Sequence, residues 1–365
     1  MLKRRSSGGL SHIRSTFFPS EEKVAVACRV ILLAAVAAVT LTAAAAPAWT
    51  PQLTGVNARL RGVSAVSDKV AWASGTAGTV LRTTDGGDTW RQVNVPDAAK
   101  LDFRDIDALS DKLAYVLSIG NGELSRIYKT TDAGASWTLQ LANTDPKVFL
   151  DAMAFWSPER GIAYGDSIDG QFVIFRTTDG RTWTRIPAAA LPPALPNEGA
   201  YAASGTNVAV QGKNDVWIAT TASRVLHSAD GGNTWSITQT PVATGAAAGI
   251  FSVAFRDAQH GIVVGGDYQK ELEAVDNAAV TADGGKTWTL SSGLSGYRSV
   301  VAYLPRSRSS WIAVGPRGAD MTHDDGRTWT PLRGAGFDTF SASPSGKLGW
   351  GAGARGSIGR LDGLR

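Results

Sequence analysis

Thr83-Thr84-Asp85-Gly86-Gly87-Asp88-Thr89-Trp90 is the phrase on which the fold turns, because it keeps returning. Copies of the pattern Thr/Ser-x-Asp-x-Gly-x-Thr/Ser-Trp run over residues 130–137, 228–235, 281–288 and 322–329, and a copy one residue shorter runs over residues 177–183. The aspartates Asp85, Asp132, Asp179, Asp230, Asp283 and Asp324 are spaced by 47, 47, 51, 53 and 41 residues. That interval is the length of four short strands with their turns, the unit of a propeller blade.

Working outward, each box follows three strand-like segments separated by Gly-rich turns, as in residues 60–66, 69–74 and 79–83. A seventh such set, residues 339–343, 348–352 and 357–361, has neither a box nor a fourth strand. Trp49-Thr50-Pro51 matches Trp329-Thr330-Pro331, so the N-terminal segment is expected to supply the missing outer strand and close the ring. The expectation is an all-β, seven-bladed propeller of four-stranded antiparallel blades, forming one domain over residues 49–365. In each box the Asp is expected to accept backbone N–H bonds, the Gly to take a positive φ and the Trp to pack between blades. Seven Trp, at 49, 90, 137, 183, 235, 288 and 329, hold that last position.

The phrase resembles the Asp-box, or BNR repeat, of sialidases and related propellers. The fuller unit, from Val70-Ala71-Trp72-Ala73-Ser74-Gly75 through Val80-Leu81-Arg82-Thr83-Thr84-Asp85, is similar to the photosystem II assembly and stability factor type. That resemblance implies a seven-bladed propeller on the lumenal or periplasmic side of a membrane. It supports fold more strongly than role, since one fold hosts many functions.

Residues 1–48 read as a signal peptide: Lys3, Arg4, Arg5, Arg14, Lys23 and Arg29 precede an apolar run over residues 30–46 and the small-residue stretch Ala46-Pro47-Ala48. Cleavage there is expected to leave a periplasmic or secreted protein, lumenal in a photosynthetic host; an uncleaved anchor is the alternative. The leader holds 6 of the 36 Lys and Arg and 2 of the 32 Asp and Glu, leaving 30 of each sign. A chain near neutrality lacks the counterion-release drive for nucleic-acid binding. The single cysteine, Cys28, falls in the leader, so stability is expected from packed sheets without disulfides.

Antiparallel order puts the second-to-third turns and the blade connections on one rim, opposite the boxes. This top rim collects the long connection over residues 187–200 and the blade 5 turn that carries Asp267 and Tyr268. Arg61, Arg104 and the pair Tyr297-Arg298 are expected where inner strands meet the channel mouth, placed to hold a carboxylate, a phosphate or an acidic peptide. The bland alternative pairs each arginine with a nearby acid such as Asp102, Asp151 or Glu198.

Three mature histidines, His227, His260 and His323, show no metal spacing, and no cofactor fingerprint is present. A sialidase would need an arginine triad, a Tyr nucleophile and an acid/base carboxylate. Arg185-Ile186-Pro187 follows Trp183 and is expected on an outer strand, away from the channel. The sequence therefore reads as an exported, monomeric, non-enzymatic platform for a protein partner, such as a membrane-complex subunit, or for a small anionic ligand. The alternative is a sialidase-like glycoside hydrolase using Tyr297.

Overall fold

The structure, a computed structural model, describes residues 46–364; nearly all of the expected leader, with Cys28, lies outside them. Seven four-stranded antiparallel sheets follow one another along the chain. Blade 1 runs outward as Leu60–Ala65, Ala71–Gly75, Thr79–Thr83 and Arg91–Gln92. Blades 2 to 6 repeat that order over residues 102–142, 150–185, 208–239, 248–290 and 300–332. Blade 7 has Thr339–Ala342, Leu348–Ala352 and Ile358–Asp362, and its outer strand is Ala48–Gln52, with Trp49 opposite Leu361. The first strand of every blade lies against those of both neighbours, blade 7 against blade 1 included, so the ring is closed. Outer strands in blades 1, 3 and 5 are two residues long, which leaves little edge for foreign strands to pair with.

The box closes the turn from third to fourth strand as its residue types require. In blade 1, Asp85 Oδ1 accepts the Thr89 N–H at 3.0 Å and the Thr83 hydroxyl at 2.8 Å, while Oδ2 accepts the Thr89 hydroxyl at 2.6 Å. Gly86 and Gly87 take φ values of 82° and 91°, which a side chain would resist. The Thr89 hydroxyl, then its N–H, then the Thr83 hydroxyl hold the Asp85 carboxyl down to about 2.

The core is divided into sectors between adjacent blades. Trp90 packs with Trp350, Ala352 and Ile358 of blade 7, and Trp137 meets Trp72 of blade 1 edge-on at 6.3 Å. A second aromatic set, on second strands, also locks blade to blade. Trp217 of blade 4 donates through Nε1 to the box carbonyl of Gly284 in blade 5 at 2.9 Å, and Tyr115 of blade 2 donates to Gly180 of the blade 3 box at 3.2 Å. Sequence reading assigned the wedge role to the box tryptophans alone; the buried Trp72, Trp217, Trp311 and Trp350 share it.

Inner strands have no strand partner on the channel side, and their free N–H groups find side chains of the preceding blade. Met153 N–H donates to Asp105 at 2.7 Å, Phe155 N–H to Asp107 at 3.1 Å, and Val301 N–H to Ser252 at 3.0 Å. Such bonds are needed because an orphaned backbone donor here would be buried.

Candidate functional site

The inner strands of blades 1, 2, 3 and 5 share a bulge near their start. Pairing skips from Leu60 to Gly62, Phe103 to Asp105, Leu150 to Ala152 and Ile250 to Ser252, leaving Arg61, Arg104, Asp151 and Phe251 unpaired. A bulge re-aims its side chain. The same local geometry thus gathers two arginines, an acid and an aromatic at the top rim.

The channel these residues were expected to face is filled by the chain itself. Residues 202–206, in the connection from blade 3 to blade 4, bond to the inner-strand regions of five blades. Arg104 Nη1 donates to Ala202 O at 2.7 Å, and Arg61 Nη1 donates to Ala203 O at 3.2 Å. Ser204 donates to Ser299 O at 2.7 Å and accepts through its carbonyl from Thr339 at 3.1 Å. Thr206 donates to Ser252 at 2.8 Å and accepts the Val253 N–H at 3.0 Å. A segment of five residues that reaches blades 1, 2, 5, 6 and 7 must cross the axis.

The arginines are consequently unequal. Arg104 is held by Asp102 at 2.8 Å in addition to Ala202. Arg61 has no acid partner among the described residues, its Nε is unbonded, and burial followed by the nearby Arg104 lowers its guanidinium to about 10. Arg298 departs from the expected exposure at the mouth: it is 2% exposed, donates through Nε to Asp320 at 2.7 Å, and also binds Tyr297 O and Ser295. It is a buried structural ion pair because Asp320, on the third strand of its own blade, lies behind the inner strand rather than above it. Sequence reading missed Arg59, which grips Asp338 with two bonds of 2.8 and 2.9 Å while its side chain stays half exposed.

Of the acids expected to neutralise these arginines, only Asp102 does so. Glu198 instead binds Arg224, with Nε to Oε1 at 2.9 Å, and Asp151 is fully buried with neither carboxylate oxygen bonded. Burial, with Asp166 adding to it, pushes the Asp151 carboxyl well above the usual carboxylate range.

Tyr297 is buried, meets Phe251 edge-on at 4.7 Å, and its phenol is raised by burial. Tyr201 stacks on Phe251 at 3.8 Å, and Tyr268 lies 6.1 Å from both rings, so the structure brings Tyr268 and Tyr297 into one aromatic cluster. Asp267 Oδ1 accepts the Gln269 N–H at 2.9 Å and shapes the blade 5 turn. Arg185 is on an outer strand, 3.9 Å from Asp145.

His227 bonds Asp215, His260 bonds Asp257 and His323 bonds Ser310. Among the described residues no group of three or more His, Cys, Asp or Glu is arranged to hold a metal.

Residues 49–148, which cover blades 1 and 2 and the outer strand of blade 7, match the family model described as photosynthesis system II assembly factor YCF48. No curated protein sequence matches the chain. Among solved structures, one of YCF48 bound to a D1 peptide is 17% identical, covers 86% of this chain and 96% of its own, and superposes with a TM-score of 0.62. YCF48 from Cyanidioschyzon merolae is 18% identical over 86% of this chain and 99% of its own, with a TM-score of 0.58. A xyloglucanase from Xanthomonas campestris is 15% identical over 86% of this chain and 53% of its own, with a TM-score of 0.60. The chain is thus similar to assembly-factor propellers in sequence over two blades, and shares its fold with enzymes and non-enzymes alike.

Proposed function

We propose that this chain is a non-enzymatic platform, working outside the cytoplasm, that holds a segment of a protein partner on the face opposite the Asp-boxes, in the manner of an assembly factor for a membrane complex. The observation that carries this reading is the filled channel: residues 202–206 occupy the axis, so the centre of the ring offers no open cleft. A glycosidase needs a cleft in which two groups flank a bond, whereas a peptide can lie across a surface. The match of residues 49–148 to the YCF48 family, one member of which is solved with a D1 peptide, points the same way. A small anion is a poorer fit than the sequence implied, since the donors of Arg104 and Arg298 are already engaged. The leader supports export.

The test places a photo-crosslinking benzoylphenylalanine either on the top rim, at Arg59, Leu124 or Arg317, or in the boxes, at Asp88, Lys286 or Arg327. Irradiation in host membranes is expected to give one discrete adduct from the top-rim positions. Adducts from box positions alone, or turnover of a glycoside panel by the purified protein, would overturn the reading.

A further inference from the structure

The second-to-third turn of blade 5 is unlike its counterparts. Within eight residues it exposes Tyr268 by 44%, Leu272 by 76% and Val275 by 60%, while the other second-to-third turns together expose one large apolar side chain, Leu124. Water around such side chains is unfavourable, and a flexible loop would fold them in.

This loop is held open. Tyr268 N–H donates to Ala247 O, Glu273 N–H to Lys270 O at 2.8 Å, and Asn277 Nδ2 to Glu273 O at 2.7 Å. Tyr297 N–H donates to Glu271 O at 3.0 Å, and Arg317 grips the Glu271 carboxylate at 2.7 Å, tying the loop to the top of blade 6. The apolar residues are therefore presented on a pre-formed knob, which reduces the ordering cost of binding.

Charge decides what fits the knob. Glu271 is neutralised by Arg317 and Glu273 by Lys270, but among the described residues no cation lies within ion-pair distance of Asp267 or Asp276. The fringe is anionic. It repels an anionic lipid surface and attracts Lys or Arg.

We propose that the blade 5 loop is the anchor of the top face, and that it takes a protein segment whose aliphatic or aromatic side chains are flanked by Lys or Arg. This rests on the platform reading and adds the place and the chemistry of the partner. Leu272 and Val275 enter the partner's apolar surface, and Asp267 and Asp276 meet its cations. The filled arginine mouth plays no direct part.

The experiment selects a displayed library of short random peptides on the wild-type protein. Selected sequences are expected to be rich in Leu, Ile or Phe next to Lys or Arg. Their affinity is expected to fall about tenfold or more in the Leu272→Ser/Val275→Ser double variant, as for central apolar anchors. It should fall about threefold in Asp267→Asn/Asp276→Asn, and more steeply with salt in the wild type than in that variant. Unfolding midpoints should stay at the wild-type value, since all four side chains reach solvent.

Selection of acidic peptides, binding that ignores the loop variants, or tighter capture by phosphatidylglycerol vesicles than by the selected peptides would overturn the proposal. So would a dimer that dissociates on the Leu272→Ser/Val275→Ser change. Crosslinks from Arg59 and Leu124 with none from a benzoylphenylalanine at Leu272 would sink this inference and leave the platform reading standing.

Discussion

Arg61 Nη1 donates to the carbonyl oxygen of Ala203 at 3.2 Å, so a guanidinium from blade 1 is capped by backbone about to enter blade 4. Two blades on different sides of the ring are joined through its axis. The joining segment is short and irregular, and these bonds are what hold it there.

Gly205 is the residue of that segment least able to change. Its φ is +72°, and a Cβ there would sit 2.3 Å from Asp105 Oδ1. Gly205→Val should destabilise the protein by about 2–3 kcal/mol, from the left-handed backbone and the overpacking together. Urea unfolding measures it, and an unchanged midpoint would mean that the segment does not seat in the channel.

Arg61 and Arg298 should respond unequally to removal. Arg298→Met leaves Asp320 buried without its cation and should cost about 3–5 kcal/mol. Arg61→Met removes a desolvated guanidinium with one carbonyl bond and an unbonded Nε, and should stay within about 1 kcal/mol of wild type. Equal losses in the two variants would contradict the assignment of Arg298 as the structural member.

That inequality was hidden in the sequence. Tyr297-Arg298-Ser299-Val300 and Phe103-Arg104-Asp105-Ile106 follow one pattern, an aromatic, an arginine, a small residue and an aliphatic, and both read as mouth arginines. What separates them is Asp320, two strands later, whose position depends on the register of a whole blade. The boxes were legible because their bonds are local: Asp85 reaches Thr89 and Thr83, and the repeat multiplies the signal. The channel segment was not, since Ala202-Ala203-Ser204-Gly205 has no period and its partners lie far away along the chain.

The channel wall should make stability depend on pH through Asp107. Burial raises its carboxyl to about 6, against the opposing bond from Phe155 N–H. A carboxyl raised on folding adds stability that is complete below its unfolded value near 4 and is lost as pH rises through about 6. Asp107→Asn should therefore match the wild type near pH 4 and exceed it by up to about 3 kcal/mol at pH 7.5, since each tenfold difference in proton affinity between folded and unfolded chains is worth about 1.4 kcal/mol. Urea midpoints across that range test this, and a difference that shrinks with rising pH would reverse the sign.

The outer strand of blade 7 gives the last test, because it is the one strand supplied from the far end of the chain. Trp49 packs on Phe337 at 4.6 Å and edge-on to Phe340 at 5.9 Å, and Gln52 beside it accepts the indole N–H of both Trp90 and Trp350. Trp49→Ala should cost about 3–5 kcal/mol by the cavity it leaves. Leu53→Ser, one residue past the strand and 93% exposed, should cost almost nothing. Loosening the strand also bares the edge of Ile358–Asp362, so Trp49→Ala should aggregate on heating at temperatures where Leu53→Ser does not. Light scattering during a thermal ramp separates the two variants. If they behaved alike, the ring would not owe its closure to this strand.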